Sequence, residues 1–156
     1  MVQPHWGLEV LWEVEISFIL DQPELMIRAV SQGLIKQVSP DVLAIGPGLG
    51  KDQLAKDILR QALATSTPFV LDADAINLLS EDSSLMALLR QRPYLKTVLT
   101  PHPGEAGRLL QVSSEKIQEN RLDSIRQLVE LTQSVLVLKG HNTLVSAPKQ
   151  NVLCCE

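Results

Sequence analysis

The 156-residue sequence has very few cysteine and aromatic residues. Its only two cysteines, Cys154 and Cys155, are adjacent, so a disulfide within the pair would be strained and would close no loop. We therefore expect free thiols, and the absence of any Cys/His set with metal-ligand spacing excludes a structural zinc site. With five aromatic residues against 27 leucines, the core must be aliphatic, which favours helices packed on a sheet over an aromatic-rich sandwich.

Long apolar runs and an excess of basic charge are also absent. Fourteen basic and eighteen acidic residues give a net charge of −4, without a Lys/Arg block that would bind a nucleic-acid backbone. No apolar run approaches the roughly 20 residues that span a bilayer, and the N-terminus lacks the basic start and apolar core of a signal peptide. We expect a cytoplasmic protein with neither nucleic acid nor a membrane as its partner.

The N-terminal part of the sequence differs in pattern from the remainder. Every even-numbered residue from Leu8 to Leu20 is apolar, and this period of two predicts a half-buried strand that is antiparallel or lies at a sheet edge. Residues 24–36 fit a short helix or irregular chain. We treat residues 1–21 as a separate segment and residues 22–153 as one partial domain.

From Pro40 onward, short apolar strands alternate with amphipathic helices. The predicted strands are Asp41–Ile45, Pro68–Leu71, Thr97–Thr100, Val135–Leu138 and Thr143–Ser146. The first predicted helix has one face formed by Leu54, Ile58, Leu59, Ala62 and Leu63, and shorter ones follow at Ala75–Leu79, Ser84–Gln91 and after Glu105. A longer helix capped by Ser113 or Ser114 has a predicted buried stripe of Ile117, Leu122, Ile125, Leu128 and Val129. This alternation predicts an α/β fold, a mainly parallel sheet with helices on both faces.

Four segments that follow predicted strands carry the chemistry of a candidate site. They are Gly46–Gly50, Asp72–Asp74, Pro101–Glu105 and Lys139–Thr143. In open α/β sheets ligands bind beyond the carboxyl ends of the strands, so these segments are expected to line one cleft. The glycine loop offers unhindered amides to an anion or a flat ring, and Lys139 with the amides of its turn suits a nucleotide phosphate.

Each of these segments also has a purely structural interpretation. The glycine loop matches neither the dinucleotide fingerprint nor the Walker loop and is compatible with a tight turn. Asp74 is a candidate helix cap, His102 a candidate structural histidine between two prolines, and Lys139 a candidate solvated residue of a surface hairpin. A serine nucleophile in a Gly-x-Ser-x-Gly setting is absent.

Taken together and in this order, the four segments resemble the ADP/ATP-dependent NAD(P)H-hydrate dehydratases. The motifs are Ala44-Ile45-Gly46-Pro47-Gly48-Leu49-Gly50, Leu71-Asp72-Ala73-Asp74-Ala75-Ile76-Asn77, Leu99-Thr100-Pro101-His102-Pro103-Gly104-Glu105-Ala106-Gly107-Arg108-Leu109, and Leu138-Lys139-Gly140 with Thr143. The resemblance runs from about Pro23 to Ala147. It implies a ribokinase-like fold and a repair reaction in which hydrated NADH or NADPH is dehydrated at the expense of ADP or ATP, with Mg²⁺.

The resemblance also implies roles for individual residues. Gly46, Gly48, Gly50 and His102 correspond to elements of the substrate pocket, with Asp74, Asn77 and Glu105 near the same cleft or its magnesium. The nucleotide phosphate site corresponds to Lys139, Gly140, His141, Asn142 and Thr143.

The sequence departs from the family at the catalytic base. The catalytic aspartate of the family lies in a later Gly-x-Gly-Asp motif that also forms the anion hole, whereas the last glycine here is Gly140 and the last aspartate is Asp123. The early Gly-rich segment of the family is absent as well. We therefore assign no catalytic residue, and we expect a domain truncated at both ends with little or no activity by itself.

Two alternatives stay open from the sequence. One is a non-catalytic nucleotide-binding or interaction domain, in which the Leu8–Leu20 strand pairs with another chain. The other is a different ribokinase-like small-molecule kinase, against which the His102-Pro103-Gly104-Glu105 segment argues. Exposed apolar surface and unpaired strand edges of a truncated sheet are compatible with a homo-oligomer.

Overall fold

A computed structural model of the chain describes residues 8–11, 25–28 and 40–155. These residues form two sheets, one of two strands and one of six. In the small sheet, β1 (Leu8–Leu11) pairs with β2 (Leu25–Arg28).

The small sheet confirms one expectation for the N-terminal segment and corrects another. In a sheet of two strands β1 lies at an edge, as one of the two alternatives for the Leu8–Leu20 strand has it, and its pairing with β2 is parallel. The expectation for residues 24–36 is wrong at Leu25–Arg28, because β2 is a strand where the sequence fits a helix or irregular chain. The rest of the predicted Leu8–Leu20 strand lies outside the described residues.

The six-stranded sheet confirms the predicted α/β class. Its strands follow one another in chain order: β3 (Leu43–Ile45), β4 (Phe69–Leu71), β5 (Thr97–Leu99), β6 (Val135–Leu138), β7 (Thr143–Ser146) and β8 (Leu153–Cys155). The first four are parallel, and β7 and β8 are added antiparallel. The short edge strand β8 was not predicted, because its three exposed residues show no alternation of apolar and polar side chains.

Six helices connect the strands of this sheet within the described part of the chain. They are α1 (Gln53–Leu63), α2 (Ala73–Glu81), α3 (Ser83–Arg90), α4 (Pro103–Leu110), α5 (Ser114–Glu119) and α6 (Arg121–Thr132). Side chains cap the N-terminus of α1, where Asp52 accepts from the Ala55 amide at 2.8 Å, and of α3, where Asp82 accepts from Ser84 and Leu85. The prediction for α1 is wrong at Leu54, which is exposed.

The single long helix expected after Ser113 is two helices. Ser113 caps the first, as predicted, through the Lys116 amide. Asn120 then leaves the helical region with φ −133° and ψ 53°, and this break separates α5 from α6. The prediction is wrong at Leu122, which is exposed in the first turn of the second helix, whereas Ile117 and Ile125 are buried as predicted.

The core lies on one face of the six-stranded sheet. All six helices contribute apolar side chains to a single cluster with Ile45, Phe69, Leu71, Leu99 and Leu136. On the opposite face Ala44 is exposed, and Val70 and Val98 are partly exposed. The predicted second layer of helices is therefore not found among residues 40–155.

Arg92 joins α1 to the middle of the sheet. Its guanidinium donates to four backbone carbonyls at and after the end of α1, those of Ala62, Leu63, Thr65 and Thr67, and its Nε donates to Thr97 Oγ1 at 2.9 Å. The same group lies 3.7 Å above the centroid of the Phe69 ring. Burial lowers the pKa of Arg92 to about 10, which leaves it charged at neutral pH. It satisfies carbonyls that the end of a helix otherwise leaves without partners.

The structure bears on the predicted free thiols and on membrane-spanning segments. Cys154 and Cys155 are free, as predicted, and both are exposed. No helix within the described ranges is long and apolar enough to cross a membrane.

Candidate functional site

The four predicted segments leave the sheet at the carboxyl ends of β3, β4, β5 and β6, which are neighbours. Backbone hydrogen bonds continue the alignment just past the strands: Asp72 N donates to Ile45 O at 3.1 Å, Thr100 N to Leu71 O at 3.0 Å, and Lys139 N to Pro101 O at 2.9 Å. The parallel register thus brings together segments that lie far apart in the sequence.

The Gly46–Gly50 loop passes directly against the backbone after β4. Gly46 is buried with φ +139°, and a Cβ built there would lie 1.7 Å from Asp72 O, so only glycine fits. The Leu49 amide donates back to Gly46 O at 3.0 Å and closes the turn. Gly48 stands exposed at the outer side of this turn, so its backbone is open to a ligand.

Asp74 fixes the far end of the same loop. Its Oδ2 accepts from the Gly50 amide at 3.0 Å, which ties the glycine loop to the first turn of α2. The proposed structural role of Asp74 as the cap of α2 is wrong, because Asp72 occupies the N-cap position and accepts from the Ala73 amide at 2.9 Å.

Asp72 also pairs with Lys139. Lys139 Nζ lies 2.7 Å from Asp72 Oδ1, with both side chains partly exposed. Burial raises the pKa of Asp72, but hydrogen bonds from Lys139 and Ala73 and the charge of Lys139 outweigh it, and the pKa is lowered from 3.8. The ammonium of Lys139 is thereby held over the end of β5, in the middle of the four segments.

The Pro101–Glu105 segment forms a closed set of hydrogen bonds. His102 is the N-cap of α4, and its Nδ1 accepts from the Gly104 amide at 2.9 Å and the Glu105 amide at 3.4 Å. Glu105 Oε2 accepts in return from the His102 amide at 2.8 Å, which completes a capping box. Because Nδ1 accepts, the imidazole proton belongs on Nε2, 3.3 Å from Glu105 Oε1.

The two side chains of this capping box differ in solvent exposure. The Glu105 side chain is only 5% exposed, and both of its oxygens face His102, so the carboxylate serves the segment itself. The His102 side chain is 50% exposed, so half of a rigidly held imidazole faces outward.

Asn77 contacts Arg108, a residue without a predicted role. Arg108 Nη1 donates to Asn77 Oδ1 at 2.9 Å and joins α2 to α4. Arg108 stands within the motif that follows β5, but nothing in its type or spacing indicated this contact.

The Lys139–Thr143 segment is the turn between β6 and β7. Gly140 and Asn142 have positive φ, +139° and 57°, and Thr143 Oγ1 donates to Gly140 O at 3.3 Å. His141 is exposed at the tip. Arg121, the first residue of α6, donates to carbonyls of this turn and had no sequence signal, since it lies 18 positions before Lys139.

The carboxylates at this edge fit Mg²⁺ that arrives with a nucleotide. Mg²⁺ in nucleotide enzymes takes one or two carboxylates and completes its shell with phosphate oxygens and water. Asp72 and Asp74 supply two carboxylates, while no group of three or more His, Cys, Asp or Glu side chains suited to a metal ion occurs in the described ranges. The donor set thus suits a shared magnesium ion and not one held by protein ligands alone.

A family model described as NAD(P)H-hydrate dehydratase matches residues 11–156. The bifunctional NAD(P)H-hydrate repair enzyme of Coxiella burnetii is 43% identical over 139 residues, which are 86% of this chain and 26% of that protein. The ADP-dependent (S)-NAD(P)H-hydrate dehydratase of Neisseria meningitidis is 37% identical over 136 residues, 86% of this chain and 45% of the relative. The chain therefore spans about a quarter to just under half the length of these curated relatives.

Solved structures show the same relationship. A ribokinase-like superfamily protein of Enterococcus faecalis superposes with a TM-score of 0.68 at 28% identity, covering 85% of this chain and 45% of that one. The ADP/ATP-dependent NAD(P)H-hydrate dehydratase of Bacillus subtilis, crystallised with ATP and Mg²⁺, superposes with a TM-score of 0.65 at 26% identity, covering 87% and 47%. With its ribokinase-like sheet and four strand-end segments in order, this chain belongs to the NAD(P)H-hydrate dehydratase family.

Proposed function

We propose that the chain carries the nucleotide and substrate sites of an NAD(P)H-hydrate dehydratase. ADP or ATP binds with its phosphates against Lys139–Thr143, and hydrated NADH or NADPH binds against Gly46–Gly50 and His102. The observation that carries this proposal is the position of Lys139. Its ammonium is held 2.7 Å from Asp72 Oδ1, at the centre of the edge formed by the carboxyl ends of β3, β4, β5 and β6.

The phosphate side of the proposal rests on charge and on backbone donors. Lys139 is partly exposed, with 40% of its side chain accessible, so its ammonium can bind a phosphate oxygen while it keeps Asp72 as its partner. An ammonium has three donors and can serve both at once. The turn at Gly140–Asn142 follows immediately and adds backbone amides, the arrangement that binds anions in other proteins.

The substrate side rests on an open backbone and a fixed imidazole. Gly48 is exposed and has no side chain, so the flat dihydropyridine-like ring can approach the loop closely. His102 is held at Nδ1 by two backbone amides, so its outward half is in place before the substrate arrives. Such preorganisation lowers the entropic cost of binding.

The chemistry explains why a kinase-like fold suits a dehydration. Hydroxide is a poor leaving group, so the hydroxyl at C6 of the ring first attacks the terminal phosphoryl group of ADP or ATP, which releases AMP or ADP, and gives its proton to a base. The phosphorylated oxygen then leaves as the enamine nitrogen of the ring pushes, and loss of the C5 proton restores the double bond. Mg²⁺ neutralises phosphate charge when it is bound, and Lys139 adds to that neutralisation.

The base for the first step is not supplied by these 156 residues. The family places it in a Gly-x-Gly-Asp motif, and the sequence after Gly140 holds neither glycine nor aspartate. Glu105 is buried and both of its oxygens face His102, and Asp72 and Asp74 are the carboxylates that suit magnesium, so none of the three is assigned as the base. We therefore propose that this chain binds both ligands in the cytoplasm, where soluble nicotinamide cofactors occur, and does not turn them over by itself.

Separate binding and turnover measurements on the purified chain test this function. Calorimetry with Mg²⁺–ATP and with hydrated NADH is expected to show binding of each. When the chain is mixed with both ligands, the long-wavelength absorbance of the product NADH is expected not to rise. Turnover at the rate of a full-length enzyme would contradict the missing base, and binding of neither ligand would contradict the proposed function. Binding of ATP without any binding of hydrated NADH would instead support the alternative of a nucleotide-binding domain.

A further inference from the structure

The Lys139–Thr143 turn is held from its back by one guanidinium. Arg121 Nη2 donates to Leu138 O at 3.1 Å and to Asn142 O at 3.3 Å, and Nη1 donates to Lys139 O at 3.4 Å. Nη1 also donates to Gln118 Oε1 at 2.9 Å, which anchors the group to α5. A single side chain therefore contacts both ends of the turn.

These contacts determine which way the amides of the turn point. In a trans peptide the carbonyl of one residue and the amide of the next point in opposite directions. Leu138 O faces Arg121, and the Lys139 amide indeed points away, to Pro101 O across the sheet. By the same geometry, the contact of Lys139 O with Arg121 directs the Gly140 amide to the side away from the guanidinium.

Gly140 packs against the same guanidinium. A Cβ at Gly140 would lie 2.8 Å from Arg121 Nη1, and its φ is +139°, a conformation that residues with a side chain rarely adopt. A larger residue at 140 would therefore carry backbone strain and displace the guanidinium from its present position. Arg121 and Gly140 form one unit in which the arginine fills the place of the absent side chain.

We propose that Arg121 is a positioning residue of the nucleotide site: it orients the Lys139–Thr143 turn for the phosphate without touching it. This inference rests on the proposed function. The planar fork of arginine has five donors and can span three carbonyls, whereas the ammonium of lysine is a point charge on a flexible stem. The shape of the guanidinium, and not its charge alone, is what the turn requires.

The experiment compares R121K and R121Q with R126Q, a matched control on the same helix. Arg126 has a 63% exposed side chain and pairs only with its neighbour Asp123 at the surface, so its loss leaves the turn intact. Two readouts are used: hydrogen exchange of the amides of residues 139–143 in the ligand-free chain, and the affinity for Mg²⁺–ATP by calorimetry. The melting temperature of each variant is measured first, and all titrations are done at a temperature at which every variant is folded.

A positioning role predicts faster exchange across the turn in both Arg121 variants and ATP affinity lowered about tenfold or more, while R126Q matches the wild type. ATP affinity of R121K equal to the wild type would overturn the proposal, since a positive charge alone would then suffice and the fork of the guanidinium would not be what orients the turn. Unchanged exchange in R121Q would overturn it as well. Absence of ATP binding by the wild-type chain would instead overturn the proposed function, so the two failures are distinguishable.

Discussion

Lys139 Nζ and Asp72 Oδ1 lie 2.7 Å apart although the two residues are separated by 67 positions in the sequence. The pair joins the residue after β6 to the residue after β4 across the end of β5. It places one positive and one negative charge at the centre of the candidate site, and the proposed nucleotide with its magnesium ion would need partners of both signs.

The lowered pKa of Asp72 predicts a loss of stability in acid. Asp82 behaves in the same way, because the Ser84 hydroxyl and the amides of Ser84 and Leu85 lower its pKa as well. A carboxylate with a lowered pKa in the folded state stabilises the fold above its ordinary value of 3.8, and this stabilisation disappears as the pH falls through the lowered pKa. The free energy of unfolding is expected to fall below about pH 5.

Urea denaturation across this pH range measures the effect. D72N and D82N should each flatten the acid limb of the curve. An acid limb in D72N as steep as in the wild type would contradict the assignment.

Removal of the Arg92 guanidinium is predicted to destabilise the fold strongly. R92M leaves the carbonyls after α1, among them Thr67 O, without their donor and removes the contact with Phe69. The expected loss is roughly 2–4 kcal/mol of unfolding free energy. R90M is the control, since Arg90 is exposed in the last turn of α3. Equal stability of the two variants in urea would show that Arg92 does not join α1 to the sheet.

Two glycines of the first loop should respond differently to alanine. G46A forces a Cβ to within 1.7 Å of Asp72 O and is expected to prevent folding or to cost more than about 3 kcal/mol. G50A meets no atom within 4 Å and carries only the strain of φ +76°, about 1 kcal/mol. Circular dichroism and thermal melting distinguish the variants, and a G46A chain as stable as G50A would refute the close approach.

His102 is predicted to have separable structural and binding roles. Asparagine is a good N-cap, so H102N should keep the start of α4 and the melting temperature, while H102A loses about 1 kcal/mol. If the outward half of the imidazole contacts the substrate, both variants lose affinity for hydrated NADH. Retained affinity in H102N would show that His102 is only the cap of α4.

The sequence could predict those features that depend on local pattern. Strands β3 to β7 and the buried residues Ile58, Leu59 and Ile125 follow from periodicity, and the four strand-end segments follow from the rule for open sheets. The break at Asn120 escaped prediction because Ile117, Leu122 and Ile125 were assigned to one stripe, although five positions separate the first two and residues 118–121 are polar. The parallel partner of β1 escaped it because pairing between distant segments has no local signature.

Within the site, residue types could be predicted but their partners could not. Glycines, carboxylates and Lys139 at strand ends were recognisable as candidates. That Lys139 pairs with Asp72, and that Arg121 supports the turn, depends on contacts across 67 and 18 positions that only the folded chain creates. The capping box at His102 is a local pattern, but histidine is not a usual N-cap, and the Ser/Thr form of the motif does not reveal it.

The central claim is that Lys139 and its turn bind the phosphates of a nucleotide. Calorimetric titration of the purified chain and of K139A with Mg²⁺–ATP tests it most directly, with melting curves to confirm that both are folded. The wild-type chain is predicted to bind Mg²⁺–ATP. The affinity of K139A is predicted to be lower by about tenfold or more, since a charge-assisted hydrogen bond is lost. Equal affinity of the two proteins, or no binding by the wild type, would contradict the claim.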